Sequence, residues 1–130
     1  MTPTPSWDGL PLHLELIGAK HWRLMRAIEW RTHKVPEGWL TDLTSIPWWV
    51  PWIRREGKHT PASVLHDRLY AKPPPGWTRR KCDRAYHTAM VTLDVVRRDR
   101  GPIWAGVRAF GWVAWRRYRK TDRAYRRSEG

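Results

Sequence analysis

Thr60-Pro-Ala-Ser-Val-Leu-His-Asp-Arg-Leu-Tyr70 is the stretch on which the fold turns. Thr60 is placed to cap a helix and Pro61 to fill its first turn, where a missing N–H is harmless, so the sequence predicts a helix through Tyr70. Lys72-Pro-Pro-Pro-Gly-Trp77 stops it. Thr78 then caps a longer helix in which Cys82, Ala85, Tyr86, Ala89, Leu93 and Val96 recur at helical spacing as one buried stripe. Gly101-Pro102 reads as the end of that helix and the start of a last one, with Ile103, Val107, Phe110, Gly111, Ala114, Trp115 and Tyr118 on its apolar face.

Toward the N-terminus the period changes. Leu10, Leu12, Leu14 and Leu16 alternate with Pro11, His13 and Glu15, the period-2 pattern of a half-buried strand that Gly18 ends. Extended segments are expected over residues 21–30 and 34–41, with Pro36-Glu-Gly38 as a turn. The expected class is α+β: a small N-terminal antiparallel β-sheet packed on about three C-terminal helices. Residues 1–9 form a flexible arm that Trp7 would pin, residues 10–118 one domain, and residues 119–130 a basic tail into which the last helix dissolves.

A chain of 130 residues can bury one modest core. Lys and Arg number 25 against 12 acidic residues, a net charge of +13, so an anionic partner is expected. The 11 tryptophans and 41% hydrophobic content exclude a disordered polycation. Cys82 is the single cysteine, which excludes an internal disulfide framework and a four-cysteine zinc site. The most apolar run, Ile46-Pro-Trp-Trp-Val-Pro-Trp-Ile53, is too short to span a bilayer, and Met1-Thr-Pro-Thr-Pro-Ser-Trp-Asp8 lacks the charged and apolar regions of a signal peptide. Synthesis in the cytoplasm is the expectation.

The chemistry concentrates in Val64-Leu-His-Asp-Arg-Leu-Tyr70 and Lys81-Cys-Asp-Arg-Ala-Tyr86. His66 and Tyr70 lie one turn apart, and Asp83 on the next helix can meet His66 across the pair, orienting its ring. Asp67 is then a second carboxylate, free for a cation, and an oriented imidazole beside a divalent ion is the apparatus of water activation. A buried His-Asp pair with a supporting tyrosine equally serves to fix a polar core, and both readings stay open. Trp48, Trp49 and Trp52 form either core or a partner or membrane interface. Arg116, Arg117, Arg119, Lys120, Arg123, Arg126 and Arg127 form a basic surface suited to phosphates or acidic proteins.

The order Pro36-Glu-Gly-Trp-Leu-Thr-Asp-Leu-Thr-Ser-Ile-Pro47, Leu65-His-Asp-Arg-Leu-Tyr70, Cys82-Asp83 and Phe110-Gly111 resembles a small domain-of-unknown-function family common in tailed-phage and prophage genomes. That resemblance implies phage origin, and the shared occurrence of the four residues in its pattern makes Asp42 the candidate for completing a cluster with His66, Asp67 and Asp83. More narrowly, His-Asp-x-x-Tyr followed by Cys-Asp-Arg is similar to the catalytic helices of phospholipases A2, especially the short bacterial kind. This second resemblance implies His66 as general base, Asp83 as its orienting carboxylate, Tyr70 as a hydrogen-bonding support and Asp67 as a calcium ligand. The chain departs from that pattern in lacking both a glycine-rich calcium loop before the helix and the disulfides.

The expected function is a virion accessory protein, tail-associated, docking on other virion proteins through Trp-rich and Arg-rich surfaces. One alternative is a calcium-dependent phospholipase-like esterase acting at a membrane during entry or lysis. The other is a nucleic-acid-binding protein using the basic tail.

Overall fold

The computed structural model describes residues 7–18, 21–41 and 58–129, with side chains described as far as Thr121. Asp42, the segment of Trp48, Trp49 and Trp52, and the side chains of Arg123, Arg126 and Arg127 lie outside the described residues. The described architecture is α+β. Six short strands come first: β1 (Trp7–Asp8), β2 (Leu14–Leu16), β3 (Trp22–Leu24), β4 (Ile28–Trp30), β5 (His33–Val35) and β6 (Leu40–Thr41). Three helices follow: α1 (Thr60–Ala71), α2 (Arg79–Thr92) and α3 (Arg97–Glu129).

The strands form two antiparallel sheets, ordered β1-β4-β5 and β2-β3-β6, rather than one. The split arises where the extended segments break. Residues 21–30 bend after Leu24, leaving β3 in one sheet and β4 in the other. The turn at Pro36-Glu-Gly38 does the same for β5 and β6: Gly38 takes φ +88°, which a residue without Cβ adopts freely, and its N–H donates to the Leu24 carbonyl at 2.7 Å. Between β4 and β5 the pairing of Trp30 with His33 leaves a two-residue loop, with Arg31 at φ 57°.

Trp7 and Asp8 pair with Trp30 and Glu29. The anchor is Thr92 at the end of α2. Its hydroxyl accepts from the indole N–H groups of Trp7 (3.0 Å) and Trp30 (3.1 Å) and donates to the Ala89 carbonyl (2.8 Å), which uses its full hydrogen-bonding capacity.

α1 starts one residue earlier than the sequence suggests. Thr60 is its first residue and His59 occupies the cap, with the Ser63 N–H and hydroxyl both donating to the His59 carbonyl. The helix packs against α2, α3 and β5, and is buried on nearly every side. Thr78 caps α2 as expected, accepting from the Lys81 N–H.

The end of α2 differs from the stripe. The helix stops at Thr92, and Val96 is exposed. Asp94 adopts φ 59°, Asp94 N–H donates to Val91 O, and Val95 N–H reaches back to Met90 O. This is a Schellman closure with Asp in place of the usual Gly, sealed by the burial of Val95 and Met90. α3 therefore begins at Arg97 and carries Gly101-Pro102 inside its second turn. The glycine removes the Cβ that would clash with the proline ring. Beyond it, residues 112–129 contain neither Gly nor Pro and many good helix formers, so the tail continues as helix to Glu129. No helix among the described residues is long and apolar enough to cross a membrane.

Thr92→Val keeps the shape but strands two indole donors, and should lower unfolding free energy by about 1–3 kcal/mol. Denaturant unfolding followed by tryptophan fluorescence measures the loss.

Candidate functional site

Three helices converge on one carboxylate. Asp83, on the second turn of α2, is fully buried. From α1, which aligns residues one turn apart, His66 Nε2 donates to its Oδ1 at 2.7 Å and the Tyr70 hydroxyl donates to the same oxygen. Oδ2 accepts from Arg79 Nη1, one turn back on α2 (3.3 Å), and from Arg108 Nη1 on α3 (2.6 Å). Burial works to raise the Asp83 carboxyl, but the His66 and Tyr70 hydrogen bonds, the His66 charge and Arg108 outweigh it and hold the group below the usual carboxylate range. Asp83 is thus an anion with both oxygens engaged, and acceptor-only, so the proton of the bond to His66 resides on Nε2.

The surrounding groups lock this arrangement. The His66 ring stacks on Tyr86, with centroids 4.5 Å apart, and lies 4.2 Å from the Tyr70 ring. Ser63 donates to the His59 carbonyl, so in its 2.6 Å contact with Tyr86 the phenol is the donor. Burial pushes the Tyr86 hydroxyl above its ordinary value, and burial and then Asp83 do the same to Tyr70, so both remain neutral donors. The same two causes push the Cys82 thiol up to about 12. That buried cysteine is no nucleophile.

Gly111 belongs to the site by virtue of its size. A Cβ there would lie 2.6 Å from the Tyr70 oxygen and 3.1 Å from Arg79 Nη1. Arg79 also donates to the Val107 and Arg108 carbonyls, tying the start of α2 to the middle of α3.

The expected residues divide. His66, Tyr70 and Asp83 come together as the sequence suggests. Asp67, about 100° further round α1, faces elsewhere: Oδ2 accepts from Trp39 Nε1 (3.1 Å) and Oδ1 from the Tyr118 hydroxyl (2.5 Å). Calcium requires six to eight oxygen ligands. No group of three or more His, Cys, Asp or Glu that could hold a metal gathers among the described residues. Of the basic series, Arg116, Arg117 and Lys120 are exposed. Arg119 turns inward, stacking over Trp115 and donating to the Tyr70 and Ala71 carbonyls, where it caps the end of α1.

Sequence reasoning missed Arg79, Arg108 and the partners of Asp67. Arg79 carried the i,i+4 spacing to Asp83, and Arg108 is the single charge in the apolar run 101–115. Both signals point to an inward partner.

Among the described residues, His66, Tyr70 and Asp83 are buried, while Arg79 and Arg108 reach partial exposure. His66 is 4% exposed, and a cavity of about 520 Å³ lined by Leu10, Leu12, Leu14, Trp22, Pro61 and Leu93 does not touch His66, Tyr70 or Asp83. Residues 19–107 match the family described as "Protein of unknown function (DUF1353)". No curated protein and no solved structure matches the chain.

Asp83→Asn would leave two part-buried guanidiniums without their anion, and should destabilise the fold by about 3–5 kcal/mol. Because the folded Asp83 carboxyl lies below its unfolded value of about 3.9, its stabilisation is present above that pH and is lost as the pH falls toward the folded value. Melting temperature should therefore drop more steeply below about pH 4 in the wild type than in Asp83→Asn. Gly111→Ala should cost about 1–3 kcal/mol by displacing the Tyr70 hydroxyl, as calorimetry would show.

Proposed function

The chain belongs to the DUF1353 family, and from that premise we propose that it is a non-catalytic accessory protein of a bacteriophage particle, docking on acidic surfaces of neighbouring particle proteins. The observation that carries the non-catalytic reading is the saturation of Asp83. Four donors from three helices hold it in a buried site, so its role is to join α1, α2 and α3 into one rigid platform. The phage setting is supported by the motif order from Pro36 to Gly111. Docking on acidic proteins is supported by the net charge of +13 and by exposed cations on successive elements: Arg23 and Lys34 on the strands, Arg80, Lys81 and Arg84 on α2, and Arg116, Arg117 and Lys120 on α3.

One observation favours a second reading, a hydrolase. With Nε2 committed to Asp83, Nδ1 is the ring nitrogen left on the other side of His66, the position a general base would use. Against it, Oδ2 of Asp83 is shared between two guanidiniums, so its charge is not reserved for the imidazole.

Particles of the phage or prophage encoding the chain, banded by density and probed with antibody, should carry it. Its absence from the particles, with the chain left in the lysate, overturns the particle reading. Calcium-stimulated hydrolysis of phospholipid vesicles by the wild type, abolished in a folded His66→Gln variant, overturns the non-catalytic one.

A further inference from the structure

The 33 residues of α3, roughly 50 Å of helix at 1.5 Å per residue, carry a second feature that the Asp83 cluster does not use. From Gly101 to Trp115 the helix holds one charge, Arg108, and that side chain is turned to Asp83. A helix apolar on all sides is normally covered on all sides. Here Ile103 and Val107 are buried in the core while Trp104, Phe110, Trp112 and Val113 are 38–59% exposed, and Ala105 and Ala109 are exposed between them.

At about 100° per residue, Ala105, Ala109, Trp112 and Val113 share the outward side of α3, and Arg98, Arg116 and Lys120 continue the same line at its two ends. All three cations are exposed. The span 97–121 contains a single acidic residue, Asp99. The outward side is therefore an apolar crown set between two cationic ends.

We propose that this side of α3 lies on an anionic lipid surface, with the Trp112 and Val113 side chains inserted at headgroup depth and Arg98, Arg116 and Lys120 paired with lipid phosphates. Charge complementarity calls for an anionic partner, and the layout identifies which. A nucleic acid presents phosphate along its whole length, whereas here the cations gather at the two ends of the outward side, Arg116 above the Trp112 ring at 5.7 Å and Arg98 beside Asp99, with no cation between them on that side. A second copy brings another +13 and the same cationic ends. A bilayer interface accepts both parts: indoles and small apolar residues at the headgroup boundary, and arginines on anionic headgroups. An indole and a valine standing on an alanine background also suit a fluid surface, which has no fixed shape to match. This contact does not require the particle reading above, but it draws on the same Arg116 and Lys120, so vesicles and an acidic polypeptide compete for them.

Flotation of the purified full-length chain with vesicles of phosphatidylcholine alone, or containing phosphatidylglycerol, tests the inference. Binding is expected to the anionic vesicles only, with a blue shift of tryptophan emission. Trp112→Ser with Val113→Ser, both at exposed positions, should leave the circular dichroism unchanged and abolish the blue shift. Arg116→Glu with Lys120→Glu should weaken binding roughly tenfold or more, at about 1 kcal/mol per cation. Three results overturn the proposal: no flotation with anionic vesicles; flotation that the Trp112 and Val113 substitutions leave unchanged, which is charge attraction alone; or tighter binding to a duplex oligonucleotide or to polyglutamate than to the vesicles.

Discussion

A carboxylate taken out of water must be given back the hydrogen bonds and counter-charge it has lost, and the helical half of this protein is arranged to do so for Asp83. Each helix supplies part of the answer: His66 and Tyr70 from α1, Arg79 from α2 and Arg108 from α3. The requirement propagates outward. Tyr70 can reach Asp83 because position 111 has no side chain, Arg79 is steadied by two carbonyls of α3, and the His66 ring is held between two tyrosines. Hydrophobic burial makes these helices adhere, while the carboxylate selects the one arrangement in which every donor is aimed at it.

The neighbouring carboxylate shows how position on a helix divides similar chemistry. Asp67 adjoins His66 in sequence yet serves a different junction, tying α1 to Trp39 before β6 and to Tyr118 near the far end of α3. Arg119 reinforces that second junction by closing the last carbonyls of α1. Two acidic residues, one adjoining His66 on α1 and one meeting its ring from α2, thus hold two separate joints of the molecule, one in the centre of the bundle and one at its side.

The class of fold was legible in the sequence because Thr60-Pro61, Lys72-Pro-Pro-Pro-Gly76 and Thr78 punctuate it through local backbone chemistry. The end of α2 was hidden because Asp94 does the work usually assigned to glycine, and the apolar spacing ran on to Val96. The split into two sheets was hidden as well, since alternation reports which side of a strand is buried and not which strand lies beside it. Within the site, His66 and Tyr70 were readable from one-turn spacing and Asp83 from its place on the next helix. The roles of Arg79 and Arg108 were not, because in a chain with 25 basic residues an inward arginine looks like any other.

The Thr92 hydroxyl has a consequence for the order of assembly. It joins Trp7 and Trp30 to the end of α2 across 85 and 62 residues of chain, whereas α1, α2 and α3 are neighbours along it. Closing such long loops carries an entropic cost that the short connections between the helices avoid. During synthesis the first strands emerge long before Thr92 exists, and the indoles of Trp7 and Trp30 must wait for it. Trp7 and Trp30, which precede Thr92 by 85 and 62 residues, therefore gain its hydroxyl only once the whole of α2 has been made.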